Sequence, residues 1–134
     1  MILTIDEVPG GLELFLKLML EYDNNYLAGW AKRRPYSPER ISRIWSKLDK
    51  YNVLLDMEGD SEAMGFVVGS QGHVPQIGTI DHIYAKRRGA GRQLTARVET
   101  LLRERGATSS NASVYWNNQQ ALDFFQRTGY RLIG

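Results

Sequence analysis

The sequence predicts an α+β fold whose central sheet is mostly antiparallel and flanked by helices, in the order βααβββαβαβ. Short apolar runs separated by turn-forming segments are typical of strands. Other segments repeat apolar residues every three or four positions, as one face of a helix does. The 134 residues contain no internal repeat and no low-complexity linker, so one domain spanning residues 1–134 is expected.

The N-terminal part of the chain is predicted to form one strand and two helices. Ile2 to Ile5 alternate apolar and polar residues, as a half-buried strand does. Leu12 to Tyr22 is rich in good helix formers and follows Gly10-Gly11, which marks the helix start. A second helix is expected to begin at Ser37-Pro38-Glu39, which supplies a hydroxyl N-cap, a proline at the first helical position and an acid. Its apolar stripe consists of Ile41, Ile44, Trp45 and Leu48.

The central part of the chain is predicted to form a three-stranded meander. Asn52 to Met57 and Ala63 to Gly69 are apolar runs on either side of a polar turn, so they are expected to pair as a hairpin. The loop from Ser70 to Gln76 contains Gly and Pro and is expected to be mobile. The third strand is expected from Ile77 to Ala85.

The C-terminal part is predicted to contain two helices and two strands. Gly91 to Arg105 is the clearest helix, because Leu94, Val98 and Leu102 fall on one face and Gly106 follows as a terminator. A strand is expected after it, then a second helix, then a final strand. Their predicted ranges are Ser113 to Trp116, Asn118 to Thr128 and Tyr130 to Ile133.

The composition excludes several classes of site. The chain has no cysteine, so it has no disulfide, thiolate metal site or cysteine nucleophile. Two histidines, His73 and His82, are too few for a histidine-rich metal centre. The N-terminus lacks the pattern of a secretory signal, and no stretch is long enough to cross a membrane. A cytoplasmic protein without a metal or a membrane partner is therefore expected.

The cations of the chain are clustered, although the net charge is only +2. Residues 32–34 (KRR) form one cluster, interpreted as solvated surface. The second cluster lies in residues 86–92 (KRRGAGR), at the start of the long helix. The two glycines let a ligand approach the backbone, and the helix start presents unpaired N–H groups. Four cations with no acid among them, at the positive end of a helix dipole, predict a bound phosphate or pyrophosphate.

Two motifs resemble those of the GNAT superfamily of acetyl-CoA-dependent N-acetyltransferases. The segment from Lys86 to Leu94 resembles the central CoA-binding motif, a Q/R-x-x-G-x-G/A loop at a helix start, with Lys86 in the first place. The preceding Ile80 to Ala85 resembles the central strand of the family. Residues 118–130 resemble the signature N-x-x-A-x-x-F-Y…G-F/Y through Asn118, Ala121, Phe124, Phe125, Gly129 and Tyr130. The resemblance covers residues 77 to 133 and implies a GNAT-like fold.

The resemblance also implies a binding site for acetyl-CoA as co-substrate, with no metal. The backbone of Ile83, Tyr84 and Ala85 is expected to hydrogen-bond the pantetheine arm like an added strand. The loop amides, with the nearby guanidinium groups, are expected to hold the pyrophosphate. The residues assigned to this loop are Arg87, Arg88, Gly89, Ala90, Gly91 and Arg92. Asn118, Phe124 and Phe125 are expected to contact the arm from the other side.

The implied reaction is direct transfer of an acetyl group to a primary amine of a small molecule or a protein, in a ternary complex. A lysine-like amine, with a pKa of about 10, must lose a proton before it attacks. Asp81 is the predicted catalytic residue and His82 the second candidate, because neighbouring strand residues face opposite sides and one should face the cleft. The tyrosine that often protonates the leaving thiolate is replaced by Phe125, and Tyr84 or Tyr115 could substitute for it.

The sequence leaves two other functions open. Phe125 favours a catalytically weakened GNAT-fold protein that binds acyl-CoA. The basic clusters would suit a nucleic-acid-binding module, but no recognised motif of that kind is present and no nucleic-acid partner is expected. The acceptor site is expected to be shaped by residues 22–40 and 70–76, in a monomer or a homodimer. The aromatic residues in the first of these segments are interpreted as core: Tyr22, Tyr26, Trp30 and Tyr36.

Overall fold

The computed structural model describes residues 1–47 and 52–133, which contain a five-stranded sheet. Its strands are β1 (Ile2–Thr4), β2 (Val53–Glu58), β3 (Glu62–Gln71), β4 (Ile77–Ala85) and β5 (Ser109–Ala112), and they lie in this order across the sheet. The pairs β1–β2, β2–β3 and β3–β4 are antiparallel, whereas β4 and β5 are parallel. The predicted α+β class with a mostly antiparallel sheet is confirmed.

The helices are α1 (Gly11–Tyr22), α2 (Ala28–Trp30), α3 (Pro38–Trp45), α4 (Ala90–Glu104) and α5 (Gln119–Arg127). A π-helical segment, Asp23–Leu27, joins α1 to α2, and a 3-10 turn, Ile5–Glu7, follows β1. The predicted cap of α3 is present, because Ser37 Oγ accepts the Arg40 N–H at 3.2 Å. Of its predicted stripe, Ile41 is buried and Ile44 is 42% exposed, while Leu48 lies outside the described residues.

The sheet separates two hydrophobic cores, one on each face. Because neighbouring residues of a strand point to opposite faces, β2 and β3 contribute to both cores. The first core packs α1 and α3 on the sheet through Phe15, Met19, Ile41, Leu55 and Phe66. The second core packs α4 and α5 on the other face through Leu54, Val67, Leu94, Val98 and Phe125. The sheet is thus covered by helices on both sides.

Two predicted strands are wrong. The strand after α4 is Ser109–Ala112 rather than Ser113–Trp116, since its parallel pairing runs from Ile77 opposite Ser109 to Ile80 opposite Ala112. Tyr130–Ile133 forms no strand, and the side chains of Leu132 and Ile133 are 72% and 87% exposed. Ser70 and Gln71, predicted as loop, belong to β3.

A buried ion pair fixes the segment between α1 and α3. Asp23 is fully buried, and its Oδ1 lies 2.5 Å from Arg33 Nη2. Its Oδ2 accepts the backbone N–H of Tyr36 at 2.9 Å. One carboxylate therefore ties the π-helical segment to the chain that leads into α3. The interpretation of residues 32–34 as solvated surface is wrong for Arg33, whose guanidinium also lies 3.5 Å from the centroid of the Tyr36 ring.

Replacement of Asp23 by Ala should lower the free energy of unfolding by about 2–4 kcal/mol, because it leaves the Arg33 guanidinium and the Tyr36 N–H without their acceptor. Urea unfolding would measure the loss. Glu21→Ala is a suitable control: the ion pair of Glu21 with Lys86 is partly exposed, so its loss should cost less than about 1 kcal/mol. Equal losses for the two variants would contradict a structural role for the buried pair.

Candidate functional site

A cleft opens where β4 and β5 stop pairing. Their parallel pairing ends at Ile80 and Ala112, and beyond this point the two chains diverge. One wall of the cleft is β4 from Ile80 to Ile83; the other consists of residues 113–115 together with Asn118, Ala121 and Phe125. Tyr22 and Trp30 line the end nearest α1, around a cavity of about 50 Å³. These two aromatic residues, interpreted from sequence as core, therefore also border the cleft.

A larger open groove, of about 790 Å³, lies on the other side of β5, against residues 128–133. Two of its ionisable side chains are already paired, because Tyr130 Oη donates to Glu99 at 3.1 Å. Neither of the two candidate bases, Asp81 and His82, lines this groove. The smaller cleft collects both Asp81 and His82, so it is the candidate site.

The edge of β4 that faces the cleft has free backbone groups. Lys86 N–H donates to Met64 O of the β3 side at 3.0 Å. Backbone groups of successive strand residues point alternately to the two edges, so those of Tyr84 also face β3, while those of Ile83 and Ala85 face the open edge. Of the three residues predicted to bind through the backbone, two are thus oriented for it.

A β-bulge in β4 re-aims the side chains at the cleft. Val68 is opposite His82 and Gly69 is opposite Ile80, so Asp81 has no partner in β3. Alternation is broken there, because Ile80 and Ile83 both pack into the α4 core although they are three residues apart. Asp81 and His82 consequently both line the cleft, where the sequence predicted only one of them. Bulges commonly have this effect near active sites.

The two candidate bases have different surroundings. Asp81 is a half-buried residue, and its carboxylate has no hydrogen-bond or ion-pair partner among the described residues. His82 Nδ1 lies 3.2 Å from Tyr22 Oη, and its ring packs edge-on against Trp45 at 5.1 Å between centroids. Burial lowers the pKa of His82, although Asp81 and Asp23 oppose this effect. Burial also raises the pKa of Tyr22 far above its ordinary value, so Tyr22 keeps its proton.

Two of the four cations around the start of α4 have acidic partners, contrary to the prediction. Lys86 Nζ lies 3.3 Å from Glu21 Oε1. Arg87 Nε donates to Asp56 Oδ2 at 3.0 Å, and Arg87 Nη2 makes a second contact with the same carboxylate. Asp56 is buried in β2, so Arg87 holds the loop against the sheet. Arg88 and Arg92 are exposed, and neither forms an ion pair with the residues described.

The start of α4 presents free N–H groups. Gly89 caps the helix with φ +82°, and no atom lies within 4 Å of the position a Cβ would take. Ala90 N–H donates to Arg87 O at 3.1 Å, and the first helical bond runs from Gln93 N–H to Gly89 O at 3.4 Å. In the described part of the chain, the N–H groups of Gly91 and Arg92 have no backbone acceptor. This arrangement suits an anion.

Helix α5 covers this region through Asn118 and Phe124. Asn118 caps α5, since its Oδ1 accepts the Ala121 N–H at 3.2 Å. A Cβ on Gly91 would lie 3.3 Å from Cε1 of Phe124, so the ring packs closely on the backbone at this glycine. Phe125 is only 6% exposed and packs on Tyr130 with 5.2 Å between ring centroids, while it also borders the cleft. Phe125 is therefore buried beside the cleft, whereas Phe124 is half-buried beside Gly91 at the start of α4.

Asp56 and Ser113 were not predicted as site residues. Asp56 could have been found, because it is the only charged residue in the apolar run from Asn52 to Met57, and a buried carboxylate requires a cationic partner. Ser113 lines the cleft but was assigned to a strand. Its position depends on where β4 and β5 separate, which periodicity does not reveal.

Comparison with known proteins identifies the family to which this chain belongs. The model of the acetyltransferase (GNAT) family matches residues 15–130. This match spans most of the chain, so the protein belongs to the GNAT family and is an acyltransferase. No curated protein sequence matches the chain.

Several solved structures are similar to this chain. Ribosomal-protein-alanine N-acetyltransferase from Brucella melitensis biovar Abortus 2308 is 16% identical, with a TM-score of 0.67, 100% of this chain covered and 92% of that one. Ard1 from Thermoplasma volcanium is 17% identical, with a TM-score of 0.65 and coverages of 100% and 84%. Nourseothricin acetyltransferase is 29% identical over 61% of this chain and 51% of its own, with a TM-score of 0.55. These likenesses support the GNAT fold.

Within residues 1–47 and 52–133, no helix is long and apolar enough to cross a membrane. The same ranges contain no group of three or more His, Asp or Glu side chains that could hold a metal ion.

Replacement of His82 by Gln should remove part of the pH dependence of stability. Burial holds the pKa of folded His82 below 6.5, so the unfolded chain binds more protons there and the folded state loses stability as pH falls from about 6.5 through the lowered pKa. Urea unfolding between about pH 5 and 8 should show a stability difference between parent and variant that shrinks on acidification. A difference that stays constant over this range would contradict the burial of a neutral imidazole.

Proposed function

We propose that this acyltransferase transfers the acetyl group of acetyl-CoA to a primary amine of a small molecule or a protein, by direct attack in a ternary complex. One observation carries the proposal: a carboxylate without a protein partner, Asp81, lies in the cleft beside the free edge of β4. The free edge can bind an amide-containing arm, and the carboxylate can accept a proton from an amine.

The residues along the cleft fit the arm of acetyl-CoA. The free N–H and C=O groups of Ile83 and Ala85 would bind its amides as an added strand would. Asn118 lies on the opposite wall, and its side-chain N–H groups stay available because only Oδ1 serves the helix cap. Acetyl-CoA would supply the acetyl group as an activated thioester. The fit therefore depends on the separation of β4 from β5.

The start of α4 fits the pyrophosphate. The N–H groups of Gly91 and Arg92 are free, and the space above Gly89 is open. The exposed guanidinium groups of Arg88 and Arg92 can pair with phosphate oxygens. Arg87 has another role in this proposal, because its contact with Asp56 positions the loop. The pyrophosphate would thus be held by the backbone and two arginines.

Asp81 is the proposed general base. An acceptor amine enters as an ammonium ion and must give up a proton before its nitrogen can attack the acyl carbon. The unpaired carboxylate of Asp81 can take this proton within the cleft. Negative charge that develops on the acyl oxygen can be stabilised by a backbone N–H of the open β4 edge. The His82 ring is held by its contacts with Tyr22 and Trp45, so in this proposal it has a structural role next to Asp81.

Acetyl-CoA should bind with micromolar affinity and raise the melting temperature, because it binds the folded state only. Gly89→Glu should weaken this binding by about tenfold or more, since the carboxylate would lie at the pyrophosphate site and repel it. Gly89→Gln is the matched control: it has the same size and the same strain at a positive φ but no charge. Equal affinities of the Glu and Gln variants, measured by calorimetry, would place the phosphates elsewhere.

Asp81→Asn should lower kcat by about 10²–10⁴-fold, the usual contribution of a general base. The assay would follow release of the CoA thiol with an acceptor chosen from a panel of primary amines. The affinity for acetyl-CoA should stay within about threefold of the parent value, because neutral Asn keeps the size of the side chain. A variant with the parent rate would show that the proton leaves by another route.

A further inference from the structure

The leaving sulfur needs a proton, and the cleft contains one well-placed donor for it. Phe125, at the position where the resemblance expects a tyrosine, has no proton to give. We propose that Tyr115 donates a proton to the leaving sulfur of CoA, as a catalytic residue on the opposite wall of the cleft from Asp81. This inference rests on the proposed function.

The position of Tyr115 is fixed by its neighbours. Val114 packs into the α4 core, whereas Tyr115 lines the cleft with 45% of its surface exposed. Its backbone oxygen accepts the Asn118 N–H at 2.9 Å, so the turn that carries it is joined to the cap of α5. The backbone at Tyr115 is therefore anchored, while its ring borders both the cleft and solvent.

Tyr115 lines the same small cleft as Asp81 and Tyr22. The cavity is only about 50 Å³, so the side chains on its two walls are close to one another. Tyr22 lines the same end of the cleft as Asp81 and His82. The free edge of β4 leads from Ala85 and Ile83 toward this end. An arm bound along that edge would bring its sulfur between Asp81 and Tyr115.

The side chains of three other tyrosines near the cleft are held by packing or by hydrogen bonds within the protein. Tyr22 is buried and hydrogen-bonded to His82. Burial, with Glu21 nearby, raises the pKa of Tyr84 to about 12, and its ring packs on Phe66 in the α1 core. Tyr130 bonds Ser110 at 2.6 Å and Glu99 at 3.1 Å. Tyr115 forms no side-chain hydrogen bond with the described residues.

The proposed step balances in atoms and charge. The ammonium nitrogen gives one proton to Asp81 and then forms a bond to the acyl carbon, and it releases its second proton to water as the tetrahedral intermediate collapses to the neutral amide. The carbon–sulfur bond breaks, and its electron pair goes to sulfur. Sulfur takes the proton from Tyr115 Oη, which gives the CoA thiol and a phenolate. Tyr115 then regains a proton from water, to which its side chain is open.

A binding experiment tests this contact without an acceptor. CoA and desulfo-CoA, in which hydrogen replaces the thiol, differ only at the sulfur. At a pH of about 9 much of the CoA thiol is ionised, so a hydrogen bond from Tyr115 should favour CoA over desulfo-CoA by about tenfold. In Tyr115→Phe this preference should fall to about threefold or less, while the affinity for desulfo-CoA stays the same. Calorimetry would give the four dissociation constants.

Tyr26→Phe is the matched control, because Tyr26 is as exposed as Tyr115 but does not line the cleft. This variant should keep the tenfold preference for CoA. A second readout is the ultraviolet absorbance of the bound thiolate: the apparent pKa of the bound thiol should be higher in Tyr115→Phe than in the parent.

The outcomes separate the two proposals. If the parent binds both ligands and Tyr115→Phe keeps the full preference for CoA, Tyr115 does not contact the sulfur and this inference is wrong while the CoA site stands. If the parent binds neither ligand, the CoA site itself is wrong and the inference falls with it. A loss of preference in Tyr26→Phe as well would show that the effect is not local to the cleft.

Discussion

The short parallel pairing of β4 with β5 is the constraint on which the rest of the site depends. Only four residue pairs, from Ile77 and Ser109 to Ile80 and Ala112, hold the two strands together. Helix α4 covers this paired end closely, since a Cβ on Gly78 would lie 2.9 Å from Leu102 Cδ1. Longer pairing would satisfy the edge of β4 with protein groups and leave none for a ligand. An unpaired sheet edge ordinarily promotes aggregation by pairing with another chain. Here the separation of β4 from β5 leaves such an edge available to bind a ligand.

The bulge at Asp81 acts at the same point of the sheet. An unbroken β4 would direct Asp81 and His82 to opposite faces. The extra residue lets both line the cleft, while Ile80 and Ile83 still pack under α4. The aromatic core under α1 then holds His82 through Tyr22 and Trp45. Packing on the α1 face of the sheet therefore fixes the His82 ring. The Asp81 carboxylate has no such contact and is available to accept a proton.

Sequence reasoning found the elements that carry periodic apolar residues and missed those defined by tertiary pairing. The cap of α3 and the length of α4 follow from local chemistry, so they were predictable. Ser109–Ala112 contains one apolar residue, and it forms a strand because β4 offers a partner. The free N–H groups of Gly91 and Arg92, in the first turn of α4, were predictable from a glycine at a helix start. The ion pair of Arg87 with Asp56 was not predicted, because it joins residues 31 positions apart.

That ion pair changes the electrostatic argument for the pyrophosphate site. Four unpaired cations at the positive end of α4 would repel one another and the helix dipole, which is unfavourable without a ligand. Glu21 and Asp56 neutralise Lys86 and Arg87, so the loop is stable by itself and only Arg88 and Arg92 remain to attract an anion. Arg87 is held against the sheet by Asp56 and Lys86 is paired with Glu21 of α1, whereas Arg88 and Arg92 are exposed without an acidic partner among the described residues. Arg87 thus stabilises the loop, whereas Arg88 and Arg92 attract the anion. Because these roles fall on different arginines, the anion site can be formed before the ligand binds.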